Sequence, residues 1–127
     1  MQSTHSNYLG GMEQLQNLIG GELRGAVSGE WLDNIEPATG EVYSQIPRSN
    51  AADVNLAVAA AVKAFPQWST LAFEERAACL RRWAAKVAEH AEALVHAESK
   101  DNGKPISLAK AVDIPRAQQN LEFFAGA

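Results

Sequence analysis

At 127 residues, with 46% hydrophobic and 20% charged side chains, the chain can form one small domain with a core and is too apolar to be disordered throughout. Its net charge of -4, with Lys and Arg scattered instead of gathered on one stripe, excludes the basic field that nucleic-acid partners require. The apolar stretches are alanine-rich and soon broken by charges, which excludes a membrane span. Residues 1–30 lack a basic start followed by an apolar block, and the single cysteine, Cys79, can close no internal disulfide, so the expected location is cytoplasmic.

Residues 1–14 are polar, glycine-bearing and aperiodic, which predicts a flexible N-terminal tail. From Leu15 to Pro47, short β-type runs alternate with turn residues. The string "LQNLIGGELRG" predicts strand, Gly20-Gly21 turn, strand; "EWLDNIEPATGEVYSQIP" predicts strand, a turn over 37–40, strand. A two-stranded ribbon with so few apolar residues needs another surface to lie on.

After Ser49 the hydrophobic period changes. Val54, Ala57, Val58, Ala61, Val62 and Phe65 mark one helical face, with Ser49 or Asn50 placed to cap its start and Pro66 expected to stop it. A second pattern runs through Phe73, Ala77, Leu80, Trp83, Ala84 and Val87. A third follows through Ala91, Leu94, Val95 and Glu98, and the stretch between them, "AEHAEA", carries no breaker, so one helix or two remain open. Asn102, Gly103 and Pro105 end that pattern. A last helix is predicted over 106–125, with Ile114, Ala117, Leu121 and Phe124 on one face and Pro115 restarting or kinking it. Hairpins followed by three to four amphipathic helices, without a strand between them, predict half of an α/β architecture whose sheet lies elsewhere.

Few residues offer chemistry. Cys79 lies near Arg76, Arg81 and Arg82, as a nucleophile would require, but a small helix residue inside an alanine-rich run is the simpler reading. His90 and His96 are six residues apart, which puts them on opposite faces of a helix and denies them a shared zinc. The glycines form neither GxGxxG nor a Walker loop, so no phosphate cradle is read, and Trp31, Trp68 and Trp83 are too widely spaced for a stacking platform. The string "ESKDNGKP", 98–105, raises a different question. Asn102, Gly103 and Pro105 suffice to stop a helix, whereas Asp101 puts an acid at the negative end of the helix dipole.

Five strings in order, "PATGEVYSQIP", "AVAAAVKAFPQWS", "ERAACLRRWAAKV", "ESKDNGKP" and "DIPRAQQNLEFFAG", resemble the N-terminal segment of the NAD(P)-dependent aldehyde dehydrogenase superfamily, over residues 15–127. Within it they are most similar to the branch that oxidises muconic semialdehydes. The resemblance implies a fold class of α/β, with 15–127 forming the incomplete N-terminal part of a Rossmann-like NAD-binding domain. It implies oxidation of an aldehyde to the acid by a cysteine thiolate, hydride transfer to nicotinamide, and thioester hydrolysis by a glutamate-activated water. Those groups follow this segment in the family. Cys79 does not match the nucleophile's string, so this chain is expected to hold no catalytic and no cofactor-binding residue and to be inactive alone. The whole enzyme is implied to be a homo-oligomer acting on a small-molecule aldehyde, without nucleic-acid or membrane partners. The alternative is a free-standing, non-catalytic helical interaction module.

For Asp101 the resemblance implies a role. Many relatives hold a monovalent cation with the acid of this string and with main-chain oxygens just before "NPATGE"; the matching positions here are Asp101, Asn34 and Ile35. A carboxylate and carbonyl oxygens suit a hard cation. Glu36 stands where the family usually has asparagine, which would add a second negative group. The competing reading of Asp101 is a solvated helix-end acid.

Overall fold

The computed structural model describes the backbone of residues 7–9 and all of residues 12–127. It divides into two compact units, Met1–Pro66 and Gln67–Ala127. In the first, β1 (Asn7–Leu9) and β2 (Met12–Gln14) pair antiparallel, β5 (Trp31–Ile35) pairs antiparallel with β6 (Val42–Pro47), and β2 runs parallel to β6, giving a sheet of order β1-β2-β6-β5. A separate ribbon joins β3 (Asn17–Ile19) to β4 (Glu22–Arg24).

Both hairpins form where the turn residues place them. Ile19 faces Glu22 across Gly20 (φ 64°) and Gly21 (φ 86°), a two-residue turn that needs positive φ at both positions and therefore glycine. The other turn closes through Glu36 N–H donating to the Glu41 carbonyl at 2.9 Å and Gly40 N–H to the Glu36 carbonyl at 2.8 Å. Past it, Ile35 faces Val42 while Asn34 faces Ser44, so Tyr43 is left over as a bulge, and Asn34 Nδ2 donates to its hydroxyl at 2.9 Å.

Strands β1 and β2 lie inside the stretch read as tail; residues 1–6, 10 and 11 of that stretch lie outside the described ones. Three-residue polar strands contain too little alternation to be seen in a sequence, and β2 is fixed by a distant partner, β6.

Helix α1 spans Ala51–Thr70 and passes through Pro66, contrary to the expected stop. Proline removes only its own N–H and crowds one carbonyl, that of Val62. Residues 61–70 are all exposed, so water can serve the disturbed turn and the ladder resumes beyond it. The second unit contains α2 (Phe73–Glu89), α3 (Ala91–Asn102), a short turn of helix α4 (Ile106–Leu108), a π-helical turn at Ala109–Asp113, and α5 (Ile114–Phe124). Two helices thus replace the open choice over 73–102, parted at His90 alone (φ -105°, ψ 16°); nothing in the local sequence explains that break. The π turn lies just ahead of Pro115: Ile114 N–H donates to the Ala109 carbonyl, five residues back, and one extra residue absorbs the misfit of the ring. Pro115 stands in the first turn of α5, where a restart was expected, with the π turn immediately ahead of it.

The core is made of small groups. Ala77, Ala84, Val95, Ala109 and Ala125 are buried in the second unit, and α2 packs along α5. Arg81 of α2 donates through Nη2 to the Ala125 carbonyl at 3.4 Å, a cation at the negative end of α5. Among the described residues of the first unit, only Ala26, Ser44 and Asp53 are buried, and the Ser44 hydroxyl, in the central strand, has no hydrogen-bond partner among them.

Asp53 organises that unit. Asn50 caps α1, its Oδ1 accepting from Ala52 N–H at 2.8 Å, and Asp53 Oδ2 accepts from Asn50 N–H at 2.9 Å. The other carboxylate oxygen, Oδ1, takes Val27 N–H at 2.8 Å, tying the loop after β4 to the helix start. These amides, Asn50 first and Val27 second, stabilise the ionised form and hold the carboxyl below its ordinary value of 3.8. The stabilisation is present above pH 3.8 and is lost as pH falls through the lower folded-state value. Asp53→Asn is therefore expected to lower the melting temperature at neutral pH, with the gap to wild type closing as pH falls below 3.8; thermal melts of both proteins across pH 2 to 7 check this.

Candidate functional site

The turn that carries Asp101 is held by a series of polar bonds. Helix α3 ends in a left-handed Gly103 (φ 74°), whose N–H donates to the Ser99 carbonyl at 2.9 Å. Ser99 Oγ donates to the Lys104 carbonyl at 2.6 Å, and Asn102 Oδ1 accepts Lys104 N–H at 2.9 Å. Asn102 Nδ2 donates to Glu98 Oε1 at 2.6 Å. The Lys104 ammonium then reaches Asp113 Oδ2 in the π turn at 2.8 Å and Glu98 Oε1 at 3.4 Å. All three side chains are only 28 to 36% exposed. The hydrogen bond to Asp113 is the main reason that the Lys104 ammonium is raised above the ordinary lysine value. Sequence reading missed this network because its partners, nine residues apart, meet only across the helix end.

Asp101 itself is exposed on the last turn of α3. Asn34 is half-buried in β5 and Ile35 exposed beside the bulge. Asp101 belongs to one compact unit, Asn34 and Ile35 to the other. A carboxylate and main-chain oxygens are donors that suit a hard monovalent cation and do not suit zinc. No cluster of three or more His, Cys, Asp or Glu side chains exists among the described residues.

Cys79 is half-buried in α2, with Arg82 Nη2 donating to its Sγ at 2.9 Å. His90 sits in the break between α2 and α3 beside Glu89 at 3.7 Å, and His96 is exposed on α3. No described helix is long and apolar enough to cross a membrane.

A concavity lies along α2 and α5. Trp83, Val87, Leu94, Leu121 and Phe124 line an open groove of about 660 Å³, with Lys86, His90 and Asn120 on its margin. Its walls are the stripes read as sheet-covering faces. Trp83 is 67% and Phe124 63% exposed; on α1, Val62 is 66% and Phe65 64% exposed. So many large apolar side chains left exposed are uncommon on a free-standing protein.

Comparison with known proteins identifies the lineage. The aldehyde dehydrogenase family profile matches residues 25–127, and the chain belongs to that family. It is 46% identical over 116 residues to 2-aminomuconic semialdehyde dehydrogenase of Bos taurus, covering 91% of this chain and 23% of that protein. It is also 46% identical, over 110 residues, to fluoroacetaldehyde dehydrogenase of Streptantibioticus cattleyicolor, covering 87% of this chain and 22% of that protein. Among solved structures it superimposes on PnpE from Pseudomonas sp. WBC-3 with TM-score 0.86 and 39% identity, across 89% of this chain and 23% of that one; PnpE has also been crystallised in complex with nicotinamide adenine dinucleotide. The chain thus spans less than a quarter of the length of these relatives and matches the N-terminal region of their fold.

Two outcomes follow from the geometry. Gly103→Ala, which forces a Cβ into the left-handed region at φ 74°, is expected to cost about 1–2 kcal/mol in urea unfolding. The 127-residue chain expressed alone is expected to give strong far-UV and weak near-UV circular dichroism and to bind a hydrophobic dye, because Trp83, Phe65 and Phe124 are uncovered. A sharp cooperative melt without dye binding would contradict this.

Proposed function

We propose that residues 15–127 are the N-terminal part of the NAD-binding domain of a cytoplasmic, homo-oligomeric aldehyde dehydrogenase. Its proposed reaction is oxidation of a muconic semialdehyde-type substrate to the carboxylic acid. The observation that carries this reading is the collinear match, 46% identical over 91% of the chain, to an enzyme whose name states that substrate. The same level of identity to a fluoroacetaldehyde enzyme leaves the substrate to be decided by experiment.

When bound, NAD accepts the hydride released on aldehyde oxidation. This chain's own part is to build the outer layer of the domain: the faces of α1, α2 and α5 cover the strands that carry the cofactor, and excluding water there fixes the sheet. None of its residues is assigned to the nucleophile, the general base or the dinucleotide. Asp101 and the main-chain oxygens of Asn34 and Ile35 are proposed as ligands of a monovalent cation.

Measuring NADH formation from a panel of semialdehydes tests the proposal. Turnover is expected from the whole protein and none from the 127-residue chain. Turnover by that chain which disappears in Cys79→Ala would overturn both the assignment of its role and the inert reading of Cys79. No turnover from the whole protein would favour a non-catalytic interaction module. For the cation, Asp101→Ala is expected to remove most of the gain in melting temperature that potassium or sodium gives over choline, since a ligand bound only by the folded state stabilises by mass action.

A further inference from the structure

The acid-bearing turn is fastened twice, and the two fastenings differ in kind. Ser99 and Asn102 bind the main chain of Lys104, which fixes the shape of the turn from within. Neither of them fixes where the turn sits against the next element. The Lys104 side chain does so beside the turn itself, by donating to Asp113 at 2.8 Å, while Lys110 of the π turn donates to Glu92 at the far end of α3 at 2.7 Å. Glu98 joins the two sets: its Oε1 accepts from both Asn102 Nδ2 and Lys104 Nζ. Asp113 is the last residue of the π turn that runs just ahead of Pro115. At 28 to 36% exposure the three charged groups are partly shielded, so their pairing is screened less than that of an open surface pair.

We propose that Lys104 is a positioning residue: by bridging Glu98 and Asp113 it sets the orientation of the turn from which the Asp101 carboxylate projects. This rests on the reading of Asp101 as a cation ligand. The charge, and not the aliphatic stem, does the positioning, so Lys104→Met should lose it and Lys104→Arg should keep it.

The test uses the whole protein, as wild type, Lys104→Met, Lys104→Arg and Asp101→Asn. Two quantities are read: the melting-temperature gain in potassium or sodium over choline at equal ionic strength, and amide exchange at Gly103. Lys104→Met is expected to lose most of the cation gain and to exchange on the order of tenfold faster at Gly103. Lys104→Arg is expected to restore both. If Lys104→Met keeps the wild-type cation gain, whether or not exchange quickens, Lys104 is no more than a staple and the proposal is overturned. If wild type and Asp101→Asn respond alike to the cations, the ligand reading fails and the proposal falls with it. Should Lys104→Met not fold, Asp113→Asn removes the same bond from the other side and is judged by the same outcomes.

Discussion

Among the described residues almost no large side chain is buried, and the rest of the structure follows from that constraint. Where α2 runs along α5, Ala77 and Ala84 are the buried α2 residues and Ala125 is buried just past α5. Alanine contacts let backbones approach closely but remove little apolar area from water, at roughly 25 cal/mol per Å². The larger payload sits outside, on Trp83, Phe123 and Phe124. Cohesion therefore falls to directional bonds: Arg81 on the end of α5, Lys104 across the α3 turn, Asp53 between a loop and a helix start.

Asp53 shows how such a bond can replace a core. A buried carboxylate without partners would be costly, but here each oxygen accepts a main-chain N–H that would otherwise be an orphan at a helix end or a loop. One side chain satisfies two segments that are far apart in sequence. The neighbouring Ser44 is the opposite case. Its hydroxyl is buried in the central strand with no partner among the described residues, and no physical reason for it is evident within them.

What could be read from the sequence was what is decided locally. The Gly20-Gly21 and Pro37-to-Gly40 turns and the cap at Asn50 are set by residues within a few positions of one another, and all three appear as expected. The faces of α1, α2 and α5 follow from apolar spacing alone. Elements decided at a distance were not legible: β2 exists because β6 lies beside it, and the Lys104 bridge exists because a π turn brings Asp113 into reach. Pro66 misled because the rule that proline ends helices describes the loss of one ladder bond, which an exposed, alanine-rich helix tolerates. At the candidate site, sequence reading singled out the turn and the acid in it, but not the lysine that holds it.

The parallel pairing of β2 with β6 bears on the order in which this chain folds as it is made. An antiparallel hairpin such as β5–β6 closes over a few residues, whereas β2 can find β6 only after the whole stretch from Gln14 to Ser44 has been closed into a loop. As the chain is made, β2 can pair at once with β1, but its other edge must wait until β6 has left the exit tunnel and joined β5. During that interval Met12–Gln14 is an open strand edge, and its polar side chains, Glu13 and Gln14, are what keep that edge from pairing with another nascent chain.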